Sequence, residues 1–187
     1  MLTREKAYAL LTKYNESEAL ITHAMAVEAV MRYFAKKLDE DVEYWGAVGL
    51  IHDLDYEKYP EEHCRKTKEI LEEEGIEEDI IHAVVSHGWN LCMDVEPTRK
   101  MEKVLYAIDE LTGLINATVL MRPDKSVMEL GVKSVKKKFK SKAFASGVNR
   151  EVITAGCEMI DMDLDTVIEW SIEGMKEAAE ALGLDGE

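Results

Sequence analysis

Apolar residues recur along this chain at intervals of three and four rather than two, which is the period of helices and not of strands. Thr3 to Tyr14 reads as a short amphipathic helix, with Tyr14-Asn15 as its exit. Ser17 is placed to cap a longer helix reaching about Leu38, whose apolar stripe is Leu20, His23, Val27, Val30, Met31 and Phe34. Asp41 can cap the next, an apolar run that ends near Asp53 and in which Gly46, Ala47 and Gly49 permit close approach of a neighbouring backbone. Pro60 with Glu61 and Glu62 predicts a helix start, continuing through His63 to Glu74 and stopping at Gly75. A short helix from about Glu77 to His87 follows, then a loop from Asn90 to Glu96. Pro97 opens the longest helix, to about Met121. Beyond the break at Arg122-Pro123-Asp124 lie a short helix over Val132 to Lys140, one capped by Asn149, and one from Asp163 or Asp165 to Gly183. The chain carries no alternating strand pattern, internal repeat or low-complexity linker. An all-α fold follows: a single domain, with a core over about 17–121 and a helical extension over about 122–187.

With 187 residues the chain can bury a real core. It has no apolar run long enough to span a bilayer, so no membrane association is expected, and its N-terminus has no secretory pattern. Cys64, Cys92 and Cys157 are odd in number and form no CxxC pair; they read as reduced thiols in a cytoplasmic protein. The net charge of −15 argues against nucleic acid or anionic lipid as partner. The charge is uneven, though. Between Arg122 and Arg150 nine basic residues face only Asp124 and Glu129, an excess of seven positive charges on an otherwise acidic protein. That segment is either a confined anion site or a solvated lysine-rich helix. Oligomeric state is left open.

The candidate chemistry centres on adjacent His52 and Asp53, at the end of the buried run, with Asp55 and Glu57 close behind. Burying such a pair costs several kcal/mol unless a proton, a partner or a cation satisfies it. Asp109 sits on an apolar face between Leu105, Ile108 and Thr112, and His23 occupies a core-facing slot on its own helix. Together His23, His52, Asp53 and Asp109 form a two-nitrogen, two-oxygen set suited to Mn, Fe, Co, Ni or Zn. Room for water on such an ion makes a nucleophile near neutral pH. His87 shares an inward face with Ile80 and Val84, and reads as a further ligand. His82 lies about 140° around the helix from it and reads as structural. His63 stands open between ligand and solvent-facing first-turn residue. One or two ions are therefore expected. For anion binding, Lys58 lies nearest the His-Asp pair, Arg122 follows the Asp109 helix, and Lys133, Lys136 and Arg150 could complete a basic wall, though each taken singly reads first as an ordinary surface charge.

The order His23, His52-Asp53, Asp109 resembles the H…HD…D signature of the HD superfamily of metal-dependent phosphohydrolases. Gly49-Leu-Ile-His-Asp-Leu-Asp-Tyr56, Asp109-Glu-Leu-Thr-Gly-Leu-Ile115, Arg122-Pro-Asp-Lys125 and Lys142-Ala-Phe-Ala145 are similar to a family of small predicted HD hydrolases. The resemblance implies an HD-like helical bundle and hydrolysis of a small phosphorylated molecule, with a nucleotide as first expectation. In two-metal HD proteins extra histidines lie between the HD pair and the final aspartate, an arrangement that His63 and His87 match. Single-metal nucleotidases of the superfamily carry a catalytic acid three residues after the HD aspartate, where this chain has Tyr56. Asp53 is expected to serve the attacking water together with either Asp55 or Glu57, each of which reads equally as a surface acid or a helix cap. Two other classes remain: a di-iron oxygenase of the same superfamily, and a non-catalytic nucleotide-sensing module.

Overall fold

Helix α2 (Glu18–Lys37) is the element against which the rest is arranged, packed by α3 (Val42–Ile51), α6 (Lys100–Leu120) and α9 (Leu164–Glu177). The structure, a computed structural model, describes residues 1–186. Val27, Val30, Met31 and Phe34 of α2 meet Val48, Leu50 and Ile51 of α3 and Leu105, Ile108, Leu111 and Ile115 of α6 in one continuous buried cluster. Gly49 lets α3 lie directly on α2, since a Cβ there would stand 3.1 Å from the Glu28 backbone. α1 (Arg4–Tyr14) packs on α3, and α4 (Arg65–Glu73) on α5 (Glu78–Val85). The C-terminal elements close the bundle. α7 (Val132–Lys140) and α8 (Arg150–Met159) lie on α6, and α9 brings Trp170 edge-on to Phe34 at 5.1 Å; α10 (Ala179–Leu182) follows it. Among the described residues there is no strand, only isolated bridges pairing Trp89 with Met93 and Ser126 with Asp185. No described helix is long and apolar enough to cross a membrane.

The expected caps Ser17, Asp41 and Asn149 are in place, each accepting a backbone N–H of the following turn, and Thr3, read as the first helical residue, caps α1 in the same way. Three boundaries differ from expectation. Pro60 starts only a 3₁₀ turn, Pro60–Glu62, and Cys64 in the left-handed region (φ +69°) separates it from α4. The break is held by Asp55, whose carboxylate takes both the His63 ring and the Thr67 N–H. A helix continuous through His63 could not satisfy both. α6 begins at Lys100 rather than Pro97, because Glu102 folds back to accept the N–H groups of Thr98 and Arg99. The last helix is interrupted at Ala178, between α9 and α10.

Candidate metal centre

Four chain segments converge on Asp53. It lies two residues past the end of α3, where Gly49 allows α3 to sink against α2, and it faces His23 from α2 and Asp109 from α6. His63 comes from the break before α4, and His87 from the 3₁₀ turn Ser86–Gly88 that follows α5. On one side, His52 Nε2 lies 3.1 Å from Asp109 Oδ1 and 3.2 Å from Asp53 Oδ2. His23 Nε2 lies 2.9 Å from Asp109 Oδ1 and 3.7 Å from Asp53 Oδ2. On the other, His63 Nε2 and His87 Nε2 stand 3.3 and 3.2 Å from Asp53 Oδ1, and 3.2 Å from each other. His23, His52, Asp53 and Asp109 form one group with metal-ligand spacing, and Asp53, His63 and His87 form a second. Asp53 belongs to both.

The rings are aimed by their other nitrogens. His52 Nδ1 is 2.6 Å from the Gly49 carbonyl and His87 Nδ1 2.5 Å from the Val84 carbonyl, which places the proton on Nδ1 and turns Nε2 inward as an acceptor. His63 Nδ1 is held at 2.7 Å by Asp55 Oδ1. Asp55 itself is buried and turned away from the cleft, its other oxygen accepting the Thr67 N–H at 2.9 Å. It therefore positions His63, whereas the sequence suggested contact with water.

The cluster wants positive charge. Burial pushes the charged His52 imidazole down, yet the Asp53 and Asp109 carboxylates outweigh it and bring His52 up to about 10. His63 is lifted against burial to about 9, chiefly by Asp55. Asp53 and Asp109 are held below the usual carboxylate range despite their burial, with His52 the main cause for each. Asp53 Oδ1 is a buried oxygen with no hydrogen-bond partner, although two imidazoles face it. An orphaned carboxylate oxygen between two Nε2 lone pairs fits a cation better than a shared proton. The residues present therefore suit a divalent transition metal.

The centre opens into a cleft of ≈ 380 Å³ whose lining, beyond the candidate ligands, includes Leu20, Tyr56, Leu91, Cys92, Tyr106, Glu110 and Val152. Val152 and Gly147 come from the C-terminal elements, so the extension walls the site. None of the expected anion-binding residues lines this cleft. Lys58 is exposed and lies over the Tyr14 ring, 5.7 Å from its centroid. Arg122 forms a two-pronged pair with Asp124, and Lys133 is exposed on α7. Arg150 is consumed as a clamp on the loop after α7, donating to the carbonyls of Phe139, Ser141, Ala145 and Val148, among others. Lys136 pairs with Asp165. His82 bonds Glu102 at 2.5 Å, away from the centre. Glu110 also faces the cleft, and its carboxyl is raised by burial and by its neighbour Asp109. Its only signal in the sequence was adjacency to Asp109, too weak to separate it from a surface acid.

Fold and site together define a helical protein with a buried histidine–carboxylate centre open to a small cleft. The HD domain family model matches residues 20–136, more than half the chain, and the protein belongs to that family of the metal-dependent phosphohydrolase superfamily. The match spans His23, the His52-Asp53 pair and Asp109. No curated protein and no solved structure matches the chain significantly.

Proposed function

We propose that the protein is a metal-dependent phosphohydrolase that holds two divalent ions and cleaves a small phosphomonoester. One observation carries this reading: the Asp53 carboxylate is split, with Oδ2 toward His23 and His52 and Oδ1 toward His63 and His87. A carboxylate with one oxygen at each of two imidazole pairs could serve two neighbouring ions, and two neighbouring ions are what clamps a phosphate in two-metal hydrolysis. Ions of the Mn, Fe, Co, Ni or Zn series bound there would supply a water nucleophile near neutral pH and neutralise charge on the phosphoryl oxygens.

The chain's own residues supply placement. The Gly49 and Val84 carbonyls and the Asp55 carboxylate fix the ring orientations of His52, His87 and His63. Leu20, Leu91 and Val152 offer an apolar wall to the leaving group, and Glu110 can accept a hydrogen bond from one of its hydroxyls. Among the described residues the cleft lining contains no lysine or arginine. A triphosphate would bring more negative charge than the centre can neutralise, so the lining favours a monoester, a nucleoside monophosphate included, over a polyphosphate.

The test is phosphate release by manganese-loaded protein from a panel of phosphomonoesters and nucleoside mono-, di- and triphosphates, with the metal counted per chain. Turnover confined to monoesters is expected, with two ions bound. Asp53→Asn should lower kcat/KM by at least roughly a hundredfold, more than is typical of a residue that only supports a ligand. Protein holding two ions and releasing phosphate from nothing in the panel would end the reading. Oxygen uptake and a mixed-valent signal from the iron-loaded form would assign the same ligands to oxygenase chemistry.

A further inference from the structure

Beside the second candidate ligand group lies a pair of thiols, one of them on the cleft wall, that the hydrolytic proposal does not use. Cys64 Sγ is buried, 3.6 Å from Cys92 Sγ and 3.8 Å from His87 Nε2. A ring nitrogen of His63 and the two sulfurs lie within 4.8 Å of one another. Two thiolates on one tetrahedral ion, each about 2.3 Å from it, stand about 3.8 Å apart, and a thiolate and an imidazole nitrogen about 3.6 Å. The 3.6 Å between the two sulfurs is close to the first of those edges, and the His63 nitrogen stands within 4.8 Å of both, near enough for a small side-chain shift to close the set. The local backbone is shaped around the pair: a Cβ on Gly88 would stand 2.7 Å from both sulfurs, so only glycine lets them converge here. Cys64 reaches its place through a left-handed backbone (φ +69°), a conformation that costs energy for a residue with a side chain. Cys92 is exposed, so an ion can arrive from solvent.

We propose that Cys64, Cys92 and His63 form a binding site for a thiophilic cation of the zinc, cadmium or copper(I) class. The donor set separates it from the carboxylate-bearing centre: sulfur ligands select soft ions, while Asp53 and Asp109 favour harder ones. Because His63 stands in both sets, an ion at the thiols and an ion at Asp53 Oδ1 compete for one imidazole. The fold thus places a soft-metal site where its occupancy bears directly on the centre. This inference needs only the geometry and stands whether or not the protein hydrolyses phosphate.

The probe is cadmium, titrated without oxygen into reduced, manganese-loaded protein while the ultraviolet thiolate-to-cadmium charge-transfer band is recorded. Expected is a band that saturates at one ion per chain, is lost in Cys92→Ser, and is kept in Cys157→Ser, whose sulfur lies on α8. Cys92 is exposed, so its substitution leaves the core intact, and an unchanged circular dichroism spectrum checks this. Absence of the band, or its persistence in Cys92→Ser, overturns the proposal. So does a Cys64–Cys92 disulfide that survives reduction and leaves no thiols for the ion.

Discussion

Asp55 shows how much a single buried carboxylate can decide at this site without touching the cleft. Its two oxygens hold the His63 ring and the first turn of α4, so it sets both where the helix begins and where His63 Nε2 points. Asp55→Asn keeps the volume but offers an amide N–H₂ where one of those two donors must be met. For the proposed two-ion centre, the expected result is loss of the more weakly held ion, with its affinity down by roughly 10–100-fold, read by elemental analysis after dialysis. An unchanged metal count would show that His63 needs no such support. Asp53 and Asp109 were legible in the sequence because a carboxylate on an apolar stripe demands an explanation. Asp55 was legible only as an acid nearby, since nothing in the residue order says which way it turns.

The α5–α6 contact is stitched by Glu102, fully buried in the first turn of α6 and bonded to Arg99, Thr98 and His82. Burial would raise its carboxyl, but the hydrogen bonds from Arg99 and its neighbours win and bring it from 4.5 down to about 2. A carboxylate depressed in the folded state stabilises above its unfolded value, and that contribution fades as pH falls from about 4.5 through about 2. Glu102→Gln should therefore cost about 1–3 kcal/mol at neutral pH. Thermal melts followed downward from pH 5 should show a shallower acid decline for the variant; parallel curves would mean that the pair contributes little. The same residue explains the late start of α6. Pro97 was a fair signal for a helix end, but a side chain three residues into the helix drew the preceding N–H groups into a cap.

Across the whole molecule, the centre ties α2, the end of α3, the α4 break, the turn after α5 and α6 to one another. A metal held there would therefore contribute folding free energy. Removing it with a chelator should lower Tm by roughly 5–10 °C if free metal stands a hundredfold above its dissociation constant, and restoring it should reverse the shift. A Tm indifferent to chelation would mean that the scaffold holds the ligands without help. The acidic whole offers no steering field for anions. The basic stretch from Arg122 to Arg150 does not supply one at the cleft, because its best-placed members are spent: Arg150 on backbone carbonyls, Lys136 on Asp165, Arg122 on Asp124.

The order of apolar and polar residues by itself determined the helical class, most boundaries and the candidate ligands His23, His52, Asp53 and Asp109. Helical period and the cost of burying charge are local properties, written every three or four positions. Tertiary structure alone decided that His63 turns inward, that Asp53 shares its oxygens between two pairs of histidines, and that the lysines expected at the substrate face elsewhere. It alone brought Cys64 and Cys92, 28 residues apart, to 3.6 Å. Each of these depends on the direction of a side chain after distant segments have packed, and direction follows from the competition among all available partners rather than from position in the chain.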